Sequence, residues 1–114
     1  MDICRDLKHR EIEEKLTRSS DFTKNVEYAS GIFSLLAEPS RVKILLALAE
    51  GELCVYHICD IVGAKQSATS QHLKKLKDAR LIKCKKVGNQ VLYSLLDEHV
   101  ISIIDTMIKH KDCK

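Results

Sequence analysis

The spacing of apolar residues changes period once, at Ile82, and that change constrains the fold more than any other feature. From Ser67 to Leu76, apolar Leu73 and Leu76 and polar Ser67, Ser70, Gln71 and Lys74 recur at three and four positions, which is the pattern of a two-faced helix. From Ile82 the chain alternates instead. Ile82, Cys84 and Lys86 stand against Lys83, Lys85 and Val87; Gly88-Asn89 follows, and Val91, Tyr93 and Leu95 alternate in the run from Gln90 to Leu96. A two-residue Gly-Asn connection between such runs predicts a β-hairpin. Upstream, a short helix from about Cys54 to Val62 is stopped by Gly63, and residues 63–66 form the turn. Helix, turn, helix and hairpin in that order predict a winged helix-turn-helix. The expected fold class is mainly α with a small β-hairpin.

The remaining elements are helical. Ser20 suits a cap for a helix to about Ala37, with Phe22, Val26, Ala29, Phe33 and Leu36 on one face. Pro39 opens another, with Val42, Leu45, Leu46 and Ala49 marking its face before Gly51. A last helix from Asp97 carries Val100, Ile101, Ile103, Ile104, Met107 and Ile108, a stripe broad enough to be buried against a second copy, so a homodimer is expected. Residues 1–19 read as a charged arm, at most partly helical. Residues 20–114 read as one winged helix-turn-helix domain ending in a dimerisation helix, which suits a chain of 114 residues with 45% apolar content.

The charge is unevenly placed. Between Ala64 and Gln90, Lys65, Lys74, Lys75, Lys77, Arg80, Lys83, Lys85 and Lys86 face the single acid Asp78, although the whole chain is only +3. Positive charge gathered on a helix-turn-helix and its hairpin suits a surface that meets phosphates. The candidate contacts to double-stranded operator DNA are Gln66, Ser67, Thr69, Ser70, Gln71, Lys74 and Lys75 on the second helix and Lys85, Lys86 and Asn89 on the wing. Gln71 can offer a bidentate amide to adenine, the hydroxyls can reach bases or phosphates, and the lysines can hold the backbone. Thr69 and His72 lie off the central polar face.

Four segments carry a family resemblance: Leu36-Ala37-Glu38-Pro39-Ser40-Arg41, Gly51-Glu52-Leu53-Cys54-Val55, Ser67-Ala68-Thr69-Ser70-Gln71-His72-Leu73 and Gly88-Asn89-Gln90-Val91-Leu92-Tyr93. Together, over roughly Ser20 to the C-terminus, the chain resembles the ArsR/SmtB family. The resemblance implies a dimeric winged-helix repressor that leaves its operator when it binds a metal ion.

Two sets of residues have metal-ligand chemistry. Asp97 and His99 at the start of the last helix and His110 and Cys113 at its end are all of donor type. His99 and His110 are eleven residues apart, which is about 16 Å along a helix, so one helix cannot chelate with both. In an antiparallel pair of such helices, Asp97 and His99 of one copy meet His110 and Cys113 of the other, giving two equivalent four-ligand sites. The resembled family has an intersubunit site with this spacing, whose last ligand is His or Glu where this chain has Cys113. The second set is Cys54 and His57, one helical turn apart, with Cys4 from the arm. The family often shows Cys-Val-Cys where this chain has Cys54-Val55-Tyr56. His9 is a further arm candidate, five residues from Cys4 where the family pair lies four apart. The implied ion is divalent, such as zinc or cadmium, with lead and arsenite also open.

Cys59 and Cys84 read as core thiols, and Tyr56 has no assigned role. A second reading keeps the DNA-binding module and makes a cysteine the sensor through disulfide or persulfide chemistry. An enzyme built on Cys54 and His57 lacks an oxyanion donor, an orienting residue and a Gly-rich phosphate loop, so no enzymatic activity is expected. A structural zinc protein is the remaining alternative. The longest apolar stretch, Val42 to Ala49, is interrupted by Lys43 and is far short of the roughly 20 residues of a membrane span. The first residues lack the apolar run of a secretory signal, so a cytoplasmic protein with no membrane partner is expected.

Overall fold

The computed structural model of the chain describes residues 4–113, in two compact units, one running to Ser34 and one beginning at Leu35. In the first, the Asp6 carboxylate accepts the Lys8 and His9 backbone N–H groups at 2.9 and 3.3 Å, capping α1 (Leu7–Thr17). That satisfies donors with no partner inside the helix. α1 buries none of its residues. In α2 (Ser20–Leu36), the Ser19 hydroxyl accepts from the Phe22 N–H at 3.3 Å, one residue before the expected cap. The apolar face expected here is present, but Phe22, Val26 and Phe33 are exposed.

The second unit holds the core. α3 (Pro39–Leu48) has proline in its first turn and the Glu38 carboxylate accepting from the Ser40 N–H at 3.2 Å. Its buried face is Ile44, Leu45 and Leu48, whereas Leu46 and Ala49, both expected on that face, are exposed. Apolar residues surround this helix on nearly every side, so their spacing does not select a face. Packing against α4 (Val55–Val62) and α5 (Gln66–Asp78) selects it instead. Ile44, Leu45, Leu48, Ile58, Val62, Leu73, Leu76, Leu81, Ile82 and Ile104 form one core.

The turn between α4 and α5 is tight. Gly63 has φ 75°, and its N–H reaches the Cys59 carbonyl at 2.8 Å, a left-handed stop that lets α5 begin at Gln66. The turn is therefore residues 63–65, one shorter than expected. At the other end of α5 the same job falls to a non-glycine. Arg80 has φ 61°, with its N–H on the Lys77 carbonyl at 2.9 Å and the Leu81 N–H on the Leu76 carbonyl at 3.0 Å. This is a Schellman closure, and it leads straight into the hairpin.

The hairpin pairs β2 (Ile82–Val87) with β3 (Gln90–Leu95), Val87 opposite Gln90. Gly88 has φ 61° and Asn89 a negative φ, the backbone of a type II′ turn. A third strand, β1 (Leu53–Cys54), pairs antiparallel with β3, so the sheet order is β1-β3-β2 and the element is more than a hairpin. Two residues are too few to show alternation. Cys54, expected to start a helix, is instead the last residue of β1 and the N-cap of α4. The last helix, α6 (His99–His110), buries Ile104 and exposes Ile103, Met107 and Ile108; Asp97 precedes it rather than starting it. No helix among the described residues is long and apolar enough to cross a membrane.

Two substitutions test these local strains. Arg80→Gly removes the Cβ penalty of a left-handed residue, so unfolding should become harder by about 1 kcal/mol, raising the melting temperature by roughly 4 °C. Thr69 is fully buried and its hydroxyl has no hydrogen-bond partner. Thr69→Val should therefore stabilise by about 1 kcal/mol, read by urea titration at fixed protein concentration.

Candidate nucleic-acid interface and metal sites

α5 has two unlike sides because the core takes one of them. Thr69, Leu73 and Leu76 face inward, and Gln66, Ser67, Ser70, Gln71, Lys74 and Lys75 are exposed. Ser67, Ser70, Gln71 and Lys74 share one stripe, flanked by Gln66 and Lys75. The structure removes Thr69 from the expected contacts: with 0% exposure, it lies on the opposite side from Ser70 and Gln71 and cannot reach a groove. The remaining stripe is a run of amide, hydroxyl and ammonium groups on a helix whose other side is buried in the core.

The ion pairs around this surface are loose. Lys74 Nζ sits 3.3 Å from Asp78 Oδ2, and Lys85 Nζ sits 3.2 Å from Glu52 Oε1, all with well-exposed side chains. Exposed pairs contribute little and are screened by salt, so either lysine can exchange its carboxylate for a phosphate at small cost. Lys86 and Asn89 are exposed near the hairpin tip. At the base of the wing, Tyr93 stands opposite Cys84 across the strands. Burial, seconded by the Cys84 thiol and opposed by Lys77, raises its phenol above the ordinary tyrosine value.

Sequence reasoning missed one contact on this element. Arg41 of α3 donates from Nε to His72 Nδ1 at 3.2 Å and from Nη1 to the Leu35 carbonyl at 3.1 Å. No periodicity could pair residues 31 positions apart.

The metal-type donors occur as close pairs. Asp97 Oδ1 lies 3.3 Å from His99 Nδ1 and also accepts the His99 backbone N–H at 2.9 Å. Cys54 Sγ lies 3.6 Å from His57 Nδ1. In the first unit, Cys4 Sγ lies 3.2 Å from His9 Nδ1. A tetrahedral zinc-type ion, with bonds of about 2.0–2.3 Å, separates an oxygen or sulfur donor from a nitrogen donor by roughly 3.3–3.6 Å. Asp97–His99 and Cys54–His57 therefore each fit one edge of such a site. His110 and Cys113 are at the far end of α6, where the Cys113 N–H reaches the His110 carbonyl at 2.9 Å. Among the described residues, no three His, Cys, Asp or Glu groups of one chain gather into a site. All five cysteines are free; Cys59 and Cys84 are part-buried, and Tyr56 is exposed.

Residues 38–83, from the cap of α3 into the first residues of β2, match the family described as bacterial regulatory protein, arsR family. The chain is 41% identical over 78 residues to a transcriptional repressor SmtB homolog of Synechocystis, covering 68% of this chain and 59% of that protein. It is 36% identical over 102 residues to a cadmium resistance transcriptional regulatory protein CadC homolog of Staphylococcus aureus, covering 87% of this chain and 84% of that one. Among solved structures, NolR from Sinorhizobium fredii superposes with a TM-score of 0.74 at 32% identity, covering 80% of this chain and 91% of that chain. This chain thus spans under two thirds of the Synechocystis relative and most of the other two. Its fold is that of transcriptional regulators, and it belongs to the arsR family of bacterial regulatory proteins.

Proposed function

We propose that this protein is a homodimeric transcriptional repressor that holds operator DNA through α5 and the β2–β3 wing and releases it on binding a metal ion. The exposed stripe of α5 carries this reading. It sets a bidentate amide, two hydroxyls and two lysines on one helix face, seated by a buried apolar face, next to a basic hairpin. Gln66, Ser67, Ser70, Gln71 and Asn89 are the candidates for base or sugar-phosphate contact, and Lys74, Lys75, Lys85 and Lys86 for phosphates. Residence in the cytoplasm follows from that role.

Dimerisation through α6 is supported by its exposed Ile103, Met107 and Ile108. Metal sensing is supported by the donor pairs and by the relatives named for SmtB and for cadmium resistance. Asp97 and His99 of one protomer, with His110 and Cys113 of its partner, would complete a four-donor site. Cys54 and His57 offer a softer half-site. Zinc and cadmium suit the first set, and cadmium, lead or arsenite the thiolate set.

The test is a fluorescence-anisotropy titration of DNA against protein, with zinc, cadmium, lead or arsenite added in turn. An effective ion should weaken binding about 5- to 150-fold, the usual range of allosteric coupling. His99→Ala should abolish the response if the α6 set is the sensor, and Cys54→Ser if the thiolate set is. No change with any ion would overturn the metal reading; a response to oxidant alone would favour thiol sensing. Without metal, Gln71→Ala should cost about 1–3 kcal/mol of specific binding. Lys86→Ala should weaken all sequences alike and lower the salt slope by about one.

A further inference from the structure

We infer that Arg41 is a positioning residue for DNA recognition: it fixes the recognition helix through a hydrogen bond that only neutral His72 can accept, which makes operator affinity sensitive to pH. The inference rests on the DNA-binding reading above. Arg41 reaches two elements from α3. Its Nε donates to His72 Nδ1 at 3.2 Å and its Nη1 to the Leu35 carbonyl at 3.1 Å, both part-buried. A guanidinium has donors only and stays charged, so His72 Nδ1 must be the bare acceptor and the ring proton must sit on Nε2. His72 is next in sequence to Gln71 and one turn beyond the buried Thr69, so it lies at the border between the core side and the exposed stripe of α5.

The apolar seat under α5 lacks direction. Leu73 and Leu76 can slide by a fraction of an ångström without losing contact, whereas a bidentate amide on a base cannot tolerate the same shift. The Arg41–His72 bond supplies the missing direction. Protonating His72 turns Nδ1 into a donor and sets a second cation against the guanidinium, so the bond is lost.

His72 has no other hydrogen bond or ion pair among the described residues. Of the elements packed on α5, α3 carries Arg41 and Lys43, α4 carries Tyr56, His57, Cys59 and Asp60, and β2 carries Lys83, Cys84, Lys85 and Lys86; of these, Arg41 alone bonds to it. On α5 itself, Lys75 follows one turn later. The sign is diagnostic. An added positive charge near DNA should strengthen phosphate binding as pH falls, whereas loss of the positioning bond weakens specific binding.

The experiment uses the full-length, metal-free protein and a labelled duplex that the wild type enriches from a random-sequence pool at about pH 8. Affinity is measured from about pH 8 to about 5.5, the range in which imidazoles change charge. The wild type should lose affinity toward acid with a slope approaching tenfold per pH unit for each His72 of the dimer. His72→Asn places an amide oxygen near the Nδ1 position and does not titrate. It should bind within about threefold of wild type at the alkaline end and lose the acid-dependent component. Arg41→Leu should bind the selected duplex at least about tenfold more weakly at the alkaline end, with unchanged affinity for an unrelated duplex. Should that variant not fold, His72→Asn still decides. A pH slope for the His72→Asn variant equal to that of wild type, or a wild-type affinity that rises toward acid, overturns the inference alone. A pool that yields no enriched duplex overturns the DNA-binding reading, and the inference with it.

Discussion

The burial of one side of α5 is the constraint on which the rest depends. Thr69, Leu73 and Leu76 lie against a core that includes Ile44, Leu45, Ile58 and Ile82. Each buried Leu contributes about 1.5–3 kcal/mol. Rotating α5 by one residue, about 100°, would expose that surface and turn Gln71 and Lys74 away from solvent. The same burial therefore stabilises the fold and chooses which polar groups are presented. Both ends of the helix are then fixed by left-handed residues: Gly63 before it and Arg80 after it. The wing begins two residues beyond Arg80, so its position relative to the helix is set by a backbone turn rather than by a flexible linker.

Electrostatics around this surface work by being weak. The Lys74–Asp78 and Lys85–Glu52 pairs hold lysine side chains over the surface without burying them, so the exchange of carboxylate for phosphate that the proposed DNA contact requires would cost little desolvation. A buried pair would hold its partner at a cost of several kcal/mol on exchange. The part-buried contact from Arg41 to His72 lies at the margin of the stripe, beside rather than within the surface proposed to meet DNA. Arg80 adds a cation at a backbone position that glycine would fill with less strain.

What can be read from the sequence divides by range. The change of period at Ile82, Gly63, Pro39 and the Gly88-Asn89 turn are local signals, and the elements they predict are present within a residue or two. Thr69 reads as a DNA contact because a small polar residue at helical spacing looks the same whether a neighbouring helix covers it or not. Leu46 reads as buried because α3 is apolar nearly all round. β1 escapes because two residues carry no period, and its strand character comes only from Leu92 and Tyr93 on the far side of the chain. Asp97–His99 and Cys54–His57 are legible as donors, since each pair lies within one turn. Arg41 with His72 is not, since that contact exists only once α3 and α5 pack.

The same distinction of range governs the proposed sensor. Asp97–His99 and Cys54–His57 each fit one edge of a tetrahedron, and the ends of α6 are too far apart for one chain to supply two edges of the same site. On the proposed reading, an ion at α6 then binds only the assembled dimer and pulls the end of one helix toward the start of the other. Two recognition helices must meet successive major grooves about 34 Å apart for both half-sites to be read. That spacing is a property of the dimer interface, not of either α5. A metal bridging the interface therefore need not touch the DNA-reading residues to weaken binding: it has only to favour a dimer geometry in which the two stripes no longer match the groove repeat, and by linkage DNA opposes metal to the same degree.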